Sequence, residues 1–288
     1  TVPRGDILSW DEHADRLMSF VGECVGASGA RSVYWYSAHP TSYNDVLFDA
    51  LGRQSDIALE VVYKKTVLTS HPWKNELASG HNSSKYRSFL GVDWGSAVRA
   101  VVKRKSFFVV AGWDHLTVII LLSILKFLGR DYAIWTDTPN LNRKRGLVKT
   151  KLRKAWLHWV FSGAKCLLAT GDIGCRNIIA MGADEKKVVS LPFFLDLELY
   201  KRRGPSDHSR PLRFCSSGRL ENSLKGYDLA LRALAVALSD YDGSWEYVIA
   251  GTGKDAEALN DLAKSLGIGS NVRMAGWLEP DELVKLYH

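Results

Sequence analysis

Two blocks in which strand-like and helical runs alternate, parted by a polar stretch containing Pro and Gly, predict an α/β protein with two parallel-sheet domains. Three observations carry this. Runs such as SVYWYS (32–37), SFFVVAG (106–112) and SWEYVIAG (244–251) are made of the aromatic and β-branched residues that strands favour. Helical spacing stands between such runs, as in HLTVIILLSILKFLG (115–129) and KGYDLALRALAVAL (225–238). The rhythm stops at LDLELYKRRGPSDHSRP (195–211) and restarts beyond it. Alternation of this kind needs right-handed β-α-β units. It implies two Rossmann-like domains, over 1–200 and 212–288, joined by a linker at 201–211.

Along the chain, Trp10, Leu17, Phe20, Val21 and Cys24 mark a helix from Ser9 to about Gly26. The strand at 32–37 leads through the loop AHPTSYND into a short helix with Val46, Leu47, Ala50 and Leu51, and IALEVVYKK (57–65) closes the first unit. Residues 66–104 hold Ser, Gly and Trp without clear period and are expected to form a long loop. Next come strand 106–112, a helix, strand DYAIWTDTP (131–139), the basic amphipathic helix GLVKTKLRKAWLHWVFSG (146–163) and strand AKCLLAT (164–170). The helix GDIGCRNIIAMG and the short strand KVVSLPF complete the first block. The second runs LRFCSSG, KGYDLALRALAVAL, SWEYVIAG, KDAEALNDLAKSLG and NVRMAGW, as strand, helix, strand, helix and strand.

LTVIILLSIL (116–125) is far shorter than the roughly 18–20 residues of a membrane span, and is expected to be a buried helix packed on a sheet. The start, Thr1 to Trp10, is polar and mixed, unlike a signal peptide, so a soluble protein is expected. Cys24, Cys166, Cys175 and Cys215 are scattered, with neither a CxxC pair nor a His at metal-ligand spacing. That usage fits a reducing, cytoplasmic compartment and makes the Asn82-Ser83-Ser84 sequon a chance match. The net charge of +7 suits an acidic ligand, nucleic acid or an anionic membrane surface, though it also serves plain solubility.

The chemistry concentrates in SSGRLENSLKG (216–226). Glycine at the end of a parallel strand lets the chain turn sharply and lets a ligand approach the backbone. Arg219 offers a planar fork for phosphate oxygens, and Lys225 a point charge at the start of the next helix. A helix N-terminus contributes roughly 0.3–1 kcal/mol toward an anion, a charge-assisted hydrogen bond about 1.5–3 kcal/mol. The side chains would therefore dominate. Taken alone, the two charges equally suit a solvated loop. Gly251-Thr252-Gly253-Lys254 is not a P-loop, because Asp255 stands where that motif needs Ser or Thr.

Gly218-Arg219-Leu220, Lys225-Gly226 and the run Leu229 to Leu234 together resemble the donor domain of the family-four glycosyltransferases (glycosyl transferases group 1, GT-B fold). The order of EYVIAGTGKDAEALNDLAKSLGIGSNVRMAGWLEPDELVKLYH agrees, so the resemblance spans about 212–288. More loosely, SVYWYSAHPTSYNDVLFDAL is similar to the family's first strand and loop, with His39-Pro40 and Tyr43-Asn44 where a Gly-Gly pair is usual. ATGDIGCRNIIAMGADEKKVVSLPFFLD aligns Pro192 and Asp196 with the family pattern, Phe193-Phe194-Leu195 replacing N-G-V.

The resemblance implies a retaining sugar transferase using a UDP- or GDP-sugar, with no metal and no cofactor. Gly218, Arg219, Lys225 and Gly226 would hold the donor diphosphate, and Gly251 and Gly253 would turn the chain beside it. His39 and Tyr43 would face a sugar or lipid-linked acceptor. Asp137, at the end of its strand, would orient or deprotonate the acceptor hydroxyl, or merely cap the turn before Thr138-Pro139; His115 is a weaker candidate. The segment 149–161, with Lys149, Lys151, Arg153 and Lys154 beside Trp156, Trp159 and Phe161, suits peripheral contact with the inner face of a membrane, or a Trp face packed on the sheet under solvated lysines. The family continues past the helix at 280–287, so the second domain is expected to be incomplete, finished by a further segment or a partner chain. Nucleic acid is not expected. Two rivals are a non-catalytic protein of the same fold binding an anionic polymer or membrane, and a nucleotide-sugar epimerase-like enzyme.

Overall fold

A computed structural model of the protein describes residues 32–53, 58–64, 81–85, 88–141, 146–191, 200 and 211–288. The helix expected from Ser9 and the linker 201–210 lie outside the described residues. The chain divides into two compact units, Thr1–Leu195 and Asp196–His288.

The first unit is built on seven parallel strands. β1 (Ser32–Ser37), β2 (Ala58–Tyr63) and β3 (Asn82–Lys85) run outward in one direction. The chain then returns to the other side of β1 with β6 (Ser106–Ala111), β7 (Tyr132–Thr136), β8 (Cys166–Ala169) and β9 (Val188–Ser190). The sheet order is β3-β2-β1-β6-β7-β8-β9, every pair parallel. Strand order therefore reverses between β1 and β6, and the carboxyl ends of those two strands border the crevice where ligands of such sheets bind.

The strands read as continuous apolar runs because both sheet faces are covered. Along β1, Val33 and Trp35 join the core shared with Phe48 and Tyr63, while Tyr34 and Tyr36 point to the opposite core with Phe108 and Leu122. The first of these cores takes α1 (Ser42–Gly52), started by Thr41, whose hydroxyl accepts from the Asn44 amide at 3.2 Å. A polar latch pins it. His81, its side chain fully buried, contacts Asp49 Oδ1 through Nδ1 at 2.7 Å and the Tyr63 hydroxyl through Nε2 at 3.2 Å. That hydroxyl also donates to Asp45 Oδ1 at 3.3 Å.

Two expectations need correction. Of the stretch 66–104 expected to form a long loop, residues 66–80, 86 and 87 lie outside the described residues, and the rest is largely regular structure. β3 adds to the sheet edge, β4 (Ser88–Phe89) and β5 (Val92–Asp93) make a hairpin turning at Leu90 and Gly91, and α2 (Trp94–Val102) follows. Asp93 caps α2, accepting from the Gly95 amide at 3.0 Å and the Ser96 hydroxyl at 2.5 Å. Strands of two to four residues are too short to show a period, which hid them. Nor is the apolar helix α3 (Leu116–Phe127) buried all round. Val118, Leu121, Leu122 and Leu125 enter the core, but Leu116, Ile119 and Phe127 are 52%, 37% and 83% exposed. It shares its sheet face with α2, α4 (Leu147–Gly163) and α5 (Gly171–Ala180).

The second unit has three parallel strands in the order β10 (Leu212–Ser217), β11 (Trp245–Ala250), β12 (Val272–Gly276). A short helix, α6 (Asn222–Lys225), breaks at Gly226 before α7 (Tyr227–Ala237). With α8 (Ala256–Ser265), α7 covers one sheet face through Leu231 and Leu259 against Tyr247 and Ile249. The opposite face packs Val248 and Ala250 on Leu286 of α9 (Pro280–Tyr287), a helix entered through a Glu279–Glu282 capping box.

Candidate functional site

In the second unit, the loops after β10 and β11 are laced together by their backbones. Gly218 N–H donates to Ala250 O at 2.9 Å, Leu220 N–H to Thr252 O at 3.0 Å and Asp255 N–H to Leu220 O at 3.1 Å. The Asp255 carboxylate accepts from the Asn222 amide at 2.7 Å, tying α6 to the second loop. Gly251 and Gly253 exist for this lacing. A Cβ on Gly251 would fall on the carbonyl oxygen of Gly218, and one on Gly253 on the Leu220 backbone. Gly226 (φ 67°) ends α6 and starts α7, a left-handed conformation that costs glycine least. The sequence motif with two glycines and a lysine is thus a strand-to-helix turn.

The two predicted cations stand at this turn. Lys225 is exposed, and its stem lies over Gly218, where a Cβ would meet Lys225 Cε at 3.6 Å. Arg219 is half exposed and reaches Glu221 Oε2 at 3.7 Å, while Lys254 Nζ reaches Glu221 Oε1 at 3.5 Å. Exposed pairs of this length contribute little, about 0–1 kcal/mol, so an arriving dianion competes with Glu221 easily. Sequence reasoning missed Glu221, and also Tyr287, whose hydroxyl sits 2.6 Å from Ser217 Oγ and whose ring lies edge-on to Tyr200. Asn222 Oδ1, at the start of α6, and Trp277 Nε1, just past β12, are buried polar atoms without a partner among the described residues.

Residues 201–288 match the family model of glycosyl transferases group 1. The laced glycine loops with Arg219 and Lys225 lie wholly within that match. Among solved structures, Anabaena HepE in complex with UDP aligns over 88% of this chain and 71% of its own at TM-score 0.60 and 11% identity. The lipopolysaccharide outer core galactosyltransferase WaaB in its apo form aligns over 88% and 70%, at TM-score 0.53 and 14% identity. A putative UDP-N-acetylglucosamine 2-epimerase from Listeria monocytogenes aligns over 89% and 72%, at TM-score 0.50 and 12% identity. The architecture is the α/β one of GT-B glycosyltransferases. No curated protein sequence matches the chain.

On the first unit's sheet, the predicted acceptor-side residues gather at the carboxyl edge without all meeting. His39 lies two residues past β1, half-buried, before the buried Pro40. Tyr43 falls in the first turn of α1. Asp137 is the first residue past β7 and exposed; its Oδ1 accepts from the Thr138 amide at 2.7 Å, so it does cap its turn while standing one strand from the crevice. The residue at the crevice itself is His115, past β6 and 6.0 Å from the Tyr36 ring between centroids. Burial, then the charge of Lys64, push His115 down to about 4, against the pull of Asp114. The ring is neutral at neutral pH and retains a lone pair. That it follows the strand neighbouring β1 is a matter of strand order, which a single sequence does not display.

In α4, Leu157, Val160 and Phe161 are buried, Trp156 donates to Ser123 Oγ at 3.1 Å, and Arg153 stands 5.9 Å over the Trp113 ring. The lysines face solvent, yet so do Leu147, Val148, Leu152 and Trp159. The helix therefore packs on the sheet through Leu157, Val160 and Phe161, with Trp156 half-buried and Trp159 exposed.

Proposed function

We propose that the protein transfers a sugar, with retention, from a nucleotide diphosphate sugar to an acceptor hydroxyl. The observation carrying this is the pair of laced glycine loops, holding Arg219 and Lys225 over a backbone turn inside the segment that matches group 1 glycosyl transferases. The bond from the sugar's anomeric carbon to a diphosphate oxygen breaks, and the acceptor oxygen takes that carbon. Negative charge grows on the departing diphosphate, where Arg219, Lys225 and the start of α7 at Gly226 offset it without a metal or cofactor. The acceptor enters by His39 and Tyr43. Its proton passes to Asp137 or to the neutral ring of His115, both on the carboxyl edge of the first sheet. UDP is the favoured nucleotide, supported by HepE structures containing UDP and UDP-glucose. The setting is the cytoplasm, at the inner face of a membrane.

Calorimetric titration with UDP and UDP-glucose tests the donor site. Arg219→Ala and Lys225→Ala should each weaken binding about 10- to 100-fold, the equivalent of one lost charge-assisted hydrogen bond. Unchanged affinity in both variants defeats the assignment. The likeness to an epimerase supports a second reading, distinguished by product: an epimerase converts the UDP-sugar with no acceptor present, whereas transfer releases UDP only when an acceptor is added.

A further inference from the structure

A helix apolar on every side belongs in a protein interior. α3, LTVIILLSILKF, has that composition, yet only one side reaches the core. Its outer side borders a hollow of about 520 Å³ lined by Val101, Ile119, Ile124, Phe127, Leu128 and Trp159, from α2, α3, α4 and the turn after α3. Ile119 also lines a second hollow of about 440 Å³ with Trp113, Leu152 and Trp156, where the polar groups are Asp114, Lys149 and Arg153. Ile119 thus lies on both hollows. Val98 and Val102 of α2 (58% and 64% exposed) and Phe89 and Leu90 of the preceding hairpin (68% and 79%) extend the same apolar character. Exposed apolar groups gathered in this way and rimmed by charge mark interaction surfaces.

The charge around it is predominantly positive, with Asp114 the acidic member of the lining. Helices α2, α3 and α4 contain Arg99, Lys126, Lys149, Lys151, Arg153 and Lys154 and not one Asp or Glu. Lys103, Arg104 and Lys105, all exposed, follow α2 directly. Cations thus flank the apolar face at both ends. Among the described residues no helix is long and apolar enough to cross a membrane, so contact with lipid would be interfacial.

We propose that the α2–α3–α4 face docks the first unit onto an anionic bilayer, its apolar side among the upper acyl chains and its lysines on lipid phosphates. This extends the membrane location given above from one helix to a three-helix surface, rests on that location, and is independent of the donor site. α3 and α4 both begin at the carboxyl edge of the sheet. A bilayer on this face accordingly borders the edge that carries His115 and Asp137, where an acceptor presented from the membrane would arrive.

The full chain is tested by co-sedimentation with phosphatidylcholine vesicles with and without phosphatidylglycerol. Binding should require the anionic lipid and weaken on raising salt from about 0.1 M to about 0.5 M. Phe127→Glu, and separately Lys149→Glu with Lys151→Glu, should each lower partitioning about tenfold. Circular dichroism should stay unchanged, since these side chains are exposed; Leu152→Ser serves as a milder second variant. Equal binding to neutral vesicles, none to either kind, or variants that bind as the parent does overturn the proposal. So does a dimer by light scattering that Phe127→Glu disperses, which would make a second copy the occupant. UDP titration of the same variants should match the parent. Loss of UDP binding with vesicle binding intact would count against the donor reading alone.

Discussion

The carboxyl edges of the two sheets are built in opposite ways. In the second unit the edge is made of backbone: loops 218–221 and 251–255 hydrogen-bond to each other so closely that glycine is the one residue that fits at 251. In the first unit the edge is made of side chains, His39, His115 and Asp137, delivered by β1, β6 and β7, of which β1 meets β6 only because the strand order reverses there. A backbone site demands particular residues at particular spacings and so leaves a motif. A side-chain site demands only that suitable residues arrive from distant parts of the chain. The difference teaches where a motif search succeeds and where it must fail.

The contrast is broken or sharpened most strongly at Gly251. Gly251→Ala places a methyl group on the Gly218 carbonyl and forces a left-handed backbone (φ 135°), so the second unit should lose roughly 3 kcal/mol. Hydrogen-exchange mass spectrometry should show protection falling over β10 to β12 while β1 and β6 keep theirs. A variant with parental protection would mean the lacing is looser than described. A smaller loss is expected at the cap of α2, where Asp93→Ala removes an acceptor from the Gly95 amide and the Ser96 hydroxyl. That should cost about 1–2 kcal/mol in chemical denaturation, felt in the first unit only.

The smallest effect concerns His115. Its folded pKa, about 4, lies below the unfolded value of 6.5, so between those values the unfolded chain binds more protons. The stability tied to this group is complete above about pH 6.5 and is lost as pH falls toward about 4. His115→Gln should flatten the decline of Tm over that window, by no more than about 2–4 °C because the ring is only half-buried. A proton NMR titration of His115 with a midpoint above 6 would remove it from consideration as a neutral acceptor.

Most of the architecture was legible because strand and helix periods are local properties. SVYWYS, SFFVVAG and WEYVIA became parallel strands, and the turn glycines stood where the chain had to reverse. The elements at 82–85 and 88–102 were not legible, since strands of two to four residues hold no period, and their one clear sign, Asp93 before Gly95 and Ser96, reads equally as a turn. The carboxylate Glu221 went unnoticed between Arg219 and Lys254 because one of its two cations comes from the other loop.

By itself the sequence determined the alternation of strands and helices, the break between two units and the glycine turn under Arg219 and Lys225. These depend on torsion preferences and on burial patterns within a few residues of each other. Only the tertiary structure decided that His115 stands at the crevice while Asp137 is one strand away, and that α3 keeps Leu116, Ile119 and Phe127 in the open. Both are questions of what lies next to what across long loops, and composition cannot answer them: a leucine-rich helix has the same sequence whether its outer side meets protein, lipid or water.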